Sequence, residues 1–263
     1  MSDYVITAKG SKLLGEPSAV ADFLESWANH PIERIRPNKY GFGEPIGQSF
    51  DAKSCHVAAS EWFGSGRAVM LERTMKPKFL VDLEWRNELG KDTRMFPWGC
   101  VLWLDKSATD TEAEALLDFL VEKLDPVFAY ATTEDDEKEK HFARYKDRVG
   151  TIEKYVGLEV GDQLPGVYWR TYLGKWTEDM IGGRDAIHQL TCDVTHMPNG
   201  IMIKPFEDSE DACSKAASLK EAEVIESLGR SIFFSIASFD LTTMKVDEQT
   251  AEAIEQAVAA SKS

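Results

Sequence analysis

Three residues spaced four apart, His188, Cys192 and His196, are the nearest this chain comes to a metal-ligand pattern. On a helix such positions would share a face. Their surroundings read instead as a strand over 189–195, with Leu190, Cys192 and Val194 on one side. Four strand residues span roughly 13 Å at about 3.3 Å each. Zinc bonds to nitrogen or sulfur are only about 2.0–2.3 Å long, so one ion could not be shared along that line. The expected arrangement is a buried thiol between two strand-end imidazoles. Cys55-His56 sets a thiol beside a base in sequence. Adjacent strand residues point to opposite faces, so this adjacency does not pair them. Gly64-Ser65-Gly66 reads as a turn, and the chain has no GxSxG elbow, no GxxxxGK[ST] and no GxGxxG. Asp82, Glu84 and His141 could serve a dispersed catalytic site, but nothing in their spacing supports one. No catalytic, cofactor-binding or metal-binding residue is assigned, and no cofactor is expected.

Carboxylates are the abundant charged group. The formal net charge is −15. Neutralising phosphates needs a basic face, so the charge argues against a nucleic-acid partner and equally against anionic membranes. It favours solubility and steering toward a basic partner. The acids gather in two places, Glu207, Asp208, Glu210 and Asp211, and the run Glu134, Asp135, Asp136 and Glu137. The stretch 208–211 lacks the glycine and distal glutamate of a calcium loop. It stands ahead of a predicted helix, where acids complement the helix dipole. A helix-start role and a partner-facing role are both open. The seven tryptophans are framed by acids or apolar residues rather than by Lys and Arg. That suits core packing, with one or two left as interface anchors, better than base stacking.

These groups must be positioned by a folded scaffold. At 263 residues and 43% hydrophobic, the chain can bury a real core. Ser18 is expected to cap a helix over 19–29, and the Pro- and Gly-rich stretch 37–50 reads as a long loop. The stretch 54–63 is ambiguous and compatible with a short helix. Strands are predicted over 67–74 and 78–85, joined as a hairpin, and over 97–104. Asp110 or Thr111 caps a helix over 112–124, a strand follows over 127–131, and Thr133 starts a charged helix to about 148. Further expectations are a strand over 167–173, a short helix over 176–181 stopped by Gly182-Gly183, and a hairpin over 189–205 turning at Asn199-Gly200. A helix over 212–228, a strand over 231–236 and a helix over 248–260 complete the list. Hairpins mixed with helices predict an α+β fold, antiparallel sheets with packed helices, rather than a doubly wound α/β one. The chain is expected to form a single domain, or two subdomains meeting near 150–163.

The most distinctive segment is Leu164-Pro165-Gly166-Val167-Tyr168-Trp169-Arg170-Thr171-Tyr172-Leu173-Gly174. Gly166, Tyr168, Trp169, Tyr172 and Gly174 are its structural motif. With the helix leading to Gly182-Gly183, the Asn199-Gly200-Ile201-Met202-Ile203 hairpin and Asp125-Pro126-Val127-Phe128-Ala129-Tyr130, it resembles the bacterial immunity protein 52 family and the related type VI secretion immunity family. The resemblance covers roughly 125–228. It implies a protein that is not an enzyme, and that binds and neutralises a cognate toxin delivered between bacteria. For the immunity protein 52 group the implied toxin is a nuclease.

The charge suits that role, since an acidic protein can occupy a basic nuclease cleft much as the phosphate backbone does. The partner-binding candidates are Glu207, Asp208, Glu210 and Asp211, then Glu134, Asp135, Asp136 and Glu137, chosen by charge density. The scattered cysteines and the lack of a long apolar run predict a cytoplasmic protein with no membrane partner, monomeric or homodimeric. The alternatives are a small-molecule enzyme with a dispersed site, and a homo-oligomerising structural module.

Overall fold

Tyr4 to Lys9 alternates apolar rings and chains with smaller or polar groups, and the chain builds its sheet around this segment, strand β1. Tyr4, Ile6 and Ala8 enter one core cluster, while Thr7 and Lys9 face the other side. The computed structural model describes residues 3–10, 13–65, 68–85, 98–147, 150–161 and 163–244. Twelve strands follow in order there. They are β2 (Lys39–Gly41), β3 (Gln48–Ser49), β4 (Val69–Arg73), β5 (Phe79–Trp85), β6 (Trp98–Leu104) and β7 (Phe128–Thr133), after β1. Then come β8 (Phe142–Asp147), β9 (Gly150–Tyr155), β10 (Arg170–Gly174), β11 (Asp193–Met197) and β12 (Gly200–Lys204).

Ten of them form one antiparallel sheet in the order β11-β12-β10-β7-β1-β6-β5-β4-β2-β3, and β8 and β9 pair as a separate hairpin. The α+β class expected from the sequence is the class observed. The ten-stranded sheet takes strands from both sides of the 150–163 stretch.

Helices α1 (Pro17–Ala28), α2 (Cys55–Ser65) and α3 (Asp110–Leu124) cover one face of the sheet. Val20, Leu24 and Trp27 of α1, Ala58 and Trp62 of α2, and Leu116 and Leu120 of α3 are buried there with Ile6, Val81 and Leu102. Burying a large apolar side chain contributes about 1.5–3 kcal/mol, so this layer anchors the fold. Among the described residues, the other face is covered over β1, β7, β10 and β12. There Phe128, Leu173, Ile201 and Ile203 pack with Ile181 and Ile187 beside α5 (Lys175–Met180) and α6 (Arg184–Ile187), and with Val224 and Leu228 of α7 (Lys215–Leu228). Helix α4 (Glu134–His141) lies between α3 and β8 in the chain.

Several expectations are corrected. Helix α1 starts at Pro17, whose fixed φ suits the first helical turn, and Ser18 lies inside it rather than capping it. The 37–50 stretch contains the β2–β3 hairpin. Helix α3 is capped by Thr109, not by Asp110 or Thr111. The charged helix ends at His141 and continues as β8, whose residues alternate in burial and pair with β9. The strand expected over 167–173 starts only at Arg170, because Thr171 Oγ1 accepts a bond from the Tyr168 amide and bends the chain there. The 231–236 stretch makes short 3-10 turns, with Phe233 bridged to Leu164. The 189–205 hairpin turns on Pro198 and Asn199, and Gly200 is already in β12. The helix expected over 248–260 lies outside the described residues.

Candidate functional site

The segment 207–211 is exposed yet firmly held. Glu207, Asp208, Glu210 and Asp211 point to solvent around a single 3-10 turn, Ser209–Asp211. Between them Ser209 is buried and fixed from three directions. Its hydroxyl donates to Asp110 Oδ1 at 2.5 Å, its amide donates to Asp110 Oδ2 at 3.1 Å, and Tyr4 Oη lies 3.3 Å away. Tyr4 also donates to Asp110, and Trp169 Nε1 donates to the Glu207 carbonyl at 2.9 Å. Four acids are thus displayed on a backbone whose anchors come from β1, the start of α3 and the Trp169 motif. Lys204 Nζ pairs with Glu207 at 2.8 Å and holds that carboxyl below its usual range, leaving the other three acids of the segment unneutralised by that lysine.

The second acidic run divides. Glu134 and Asp135 are exposed, whereas Asp136 and Glu137 are only 2% and 7% exposed. These two therefore do not belong to an accessible acidic surface, which corrects their place among the partner-facing candidates. Thr133 caps α4, and helical geometry turns Asp136 and Glu137 inward. Thr132 Oγ1 donates to Asp136 at 2.5 Å, and Lys140 Nζ pairs with both Asp136 and Glu221 at 2.8 Å. Lys140 also donates to the Val167 carbonyl and lies 4.7 Å from the Tyr168 ring centroid. Tyr130 Oη donates to Glu137 Oε1 at 2.5 Å. Burial raises the Glu137 and Glu221 carboxyls above their ordinary range, with Lys140 opposing that rise at Glu221.

The motif residues connect the two runs. Tyr168 stacks on Tyr130 with centroids 4.0 Å apart, and its hydroxyl lies 2.6 Å from His141 Nε2. His141 Nδ1 lies 2.7 Å from the Val156 carbonyl. A carbonyl can only accept, so Nδ1 carries the hydrogen and Nε2 accepts from Tyr168. Gly166 is buried beside Tyr168, Tyr172 is buried in the separate core cluster that holds Tyr4 and Trp169, and Gly174 pairs with Gly200 across β10 and β12. A Cβ on Gly174 would overlap the Pro126 carbonyl oxygen, which explains that glycine. The motif is a packing device that fixes α4, α7 and the 207–211 segment to one frame.

The remaining chemical candidates separate. His188 follows α6 rather than lying in a strand, so it and His196 line one hollow of about 280 Å³ with Lys175, Glu178 and Asn199. Cys192 packs instead against the apolar cluster around Ile187, and burial raises its thiol pKa. Among the described residues no three His, Cys, Asp or Glu side chains are placed to hold a metal. Cys55 is fully buried in α2, its thiol pushed up to about 12 by burial, while His56 is exposed. A thiol so raised is a poor nucleophile. Asp82 lies on β5, His141 in the Tyr168 network, and the Glu84 side chain lies outside those described.

One surface was not singled out by sequence reasoning. Between β4 and β6 the sheet face away from α1, α2 and α3 carries Trp103, which is 41% exposed. Trp103 lies opposite Leu80 in the β5–β6 register and opposite Val5 in the β1–β6 register. It lines two hollows, of about 780 Å³ and about 380 Å³. The signal was present in the alternation of β6, where Cys100, Leu102 and Leu104 take the buried side and leave Trp103 on the other.

Neither a family model nor a curated protein matches the chain. Among solved structures it is similar to the Pseudomonas aeruginosa T6SS protein PA0821, with a TM-score of 0.50 at 13% identity. The match covers 97% of this chain and 84% of that one. At that identity what is shared is a fold, and it extends over nearly the whole described architecture.

Proposed function

We propose that this protein is a toxin-neutralising binding protein of a type VI secretion system, resident in the cytoplasm and acting by association rather than catalysis. The observation that carries the reading is the near full-length likeness in fold to a T6SS protein. The exposed acids at 207–211 support it in kind, because they are presented on an anchored backbone from which their field can steer a basic partner. The partner is a basic toxin, most simply a nuclease, whose basic cleft an acidic face of this chain occupies in place of phosphates. Complementary charge speeds the encounter, and desolvated aromatic anchors hold the complex. The test is co-expression with the secreted effector encoded beside this gene, followed by pull-down at low and high salt. Rescue of growth with salt-sensitive binding is expected. Absence of both rescue and binding overturns the reading.

A further inference from the structure

We propose that the sheet face on β4, β5 and β6 that no described helix covers, centred on Trp103, is where the basic partner docks; this rests on the toxin-binding reading and adds the surface to it. Cross-strand register sets the composition of the face. One row runs Val5, Trp103, Leu80 and Glu72, and the next runs Thr7, Val101, Asp82 and Met70. A helix layer covers the opposite side of these strands, and on this side Trp103 meets both hollows and its Leu80 neighbour the larger. A half-exposed tryptophan between concavities, with aliphatic neighbours and a polar rim, has the anatomy of an interface centre.

The rim decides the occupant. Asp3, Glu44, Glu72 and Asp105 surround the larger hollow, with Arg73 and Lys78 as its cations. Among the described residues, Glu134 and Lys9 meet across the smaller one. Among the described residues of the larger hollow carboxylates outnumber cations, so the face complements a basic protein. A second copy of this chain would set acid against acid in a two-fold contact, which is unfavourable. In this arrangement Trp103 governs residence time, and the acids Glu207 and Glu210, which line neither hollow, govern only the approach.

The experiment uses the full chain, with the purified effector encoded beside the gene as the probe, and follows association and dissociation at two salt concentrations. Trp103→Ala is expected to speed dissociation by about tenfold or more, as truncating a central aromatic anchor does. Glu44→Lys with Glu72→Lys, both accessible positions, guards against a Trp103 variant that fails to fold, and is expected to slow association and flatten its salt dependence. Glu207→Lys with Glu210→Lys is expected to slow association and leave dissociation unchanged. If the wild type binds but the first two variants behave as wild type while the third dissociates faster, the docking face is wrong and the toxin-binding reading stands. If the wild type does not bind, both are overturned. A concentration-dependent dimer abolished by Trp103→Ala assigns the face to a second copy and overturns the proposal.

Discussion

His141 shows how one buried ring can set a pH limit on the fold. Burial pushes its pKa down to about 4, and both ring nitrogens are engaged, with the Val156 carbonyl and the Tyr168 hydroxyl. The unfolded chain takes up this proton near 6.5. Between the two values the unfolded state holds more protons, so stability falls as pH falls from about 6.5 to about 4 and is independent of this group above that window. The loss is at most about 3 kcal/mol. Glu221 acts in the opposite sense. Its raised pKa makes the folded state hold the extra proton, so its contribution is present at low pH and is lost as pH rises through the folded value. Urea unfolding at pH 7 and pH 4.5 should therefore show a smaller acid loss for His141→Gln than for the wild type, from a lower starting stability at pH 7. Glu221→Gln should stabilise the chain more, relative to wild type, at pH 8 than at pH 5. Gly200 gives a prediction free of charge. A Cβ there would overlap the Leu173 carbonyl oxygen and lie 2.8 Å from Tyr172 Oη and 2.9 Å from Gly174 Cα. Gly200→Ala should cost about 2–3 kcal/mol, read as a lower urea midpoint at unchanged slope.

At the scale of the element, helix α3 offers three consecutive residues able to cap it, Thr109, Asp110 and Thr111. The structure selects Thr109 because Glu112, three positions on, closes the reciprocal box. Thr109 N donates to Glu112 Oε2 at 2.9 Å, and Glu112 N donates to Thr109 Oγ1 at 3.3 Å. Arg34 then pairs with the same carboxylate at 2.6 Å and ties α3 to the turn after α1. Thr109→Ala should lower stability by about 1 kcal/mol, while Thr111→Ala, at an exposed position, should change it by less than about half that. Thermal melts of the two variants side by side decide whether the cap is placed correctly. The capping-box spacing was legible in the sequence once Glu112 was given its role. Helix α4 was legible only at its start, from Thr133. Its charge density read as a partner-facing run, because Tyr130 lies on the preceding strand and Glu221 on a remote helix, and neither can be assigned as a contact from local periodicity. The same remoteness hid the turn into β8, whose pairing with β9 overrides the helical run of charges.

Across the whole molecule, hairpin signals identified β4, β5, β11 and β12, and β-type runs identified β6, β7 and β10, enough for the α+β class, but β1, β2, β3, β8, β9 and the sheet order were not read from the sequence. The central place of β1 depends on pairing with β6 and β7, far along the chain. No described helix covers the far face of β4, β5 and β6, and the two acidic runs follow β7 and β12, so the site was less legible than the elements that carry it. The net charge of −15 nevertheless has a consequence independent of where any acid lies. Like charges repel in the folded chain, and salt screens that repulsion over a Debye length that shrinks from about 10 Å at 0.1 M to about 3 Å at 1 M. Raising sodium chloride should therefore raise the thermal midpoint of the free protein by a few degrees, since about 1 kcal/mol corresponds to roughly 2–4 °C for a chain near this size. The complex with a basic partner should respond with the opposite sign, its association slowing as the same screening removes the attraction. Differential scanning fluorimetry and binding kinetics over one salt series test the pair together. A midpoint that rises while association stays salt-independent would mean that the acids shape the free protein but take no part in recognition.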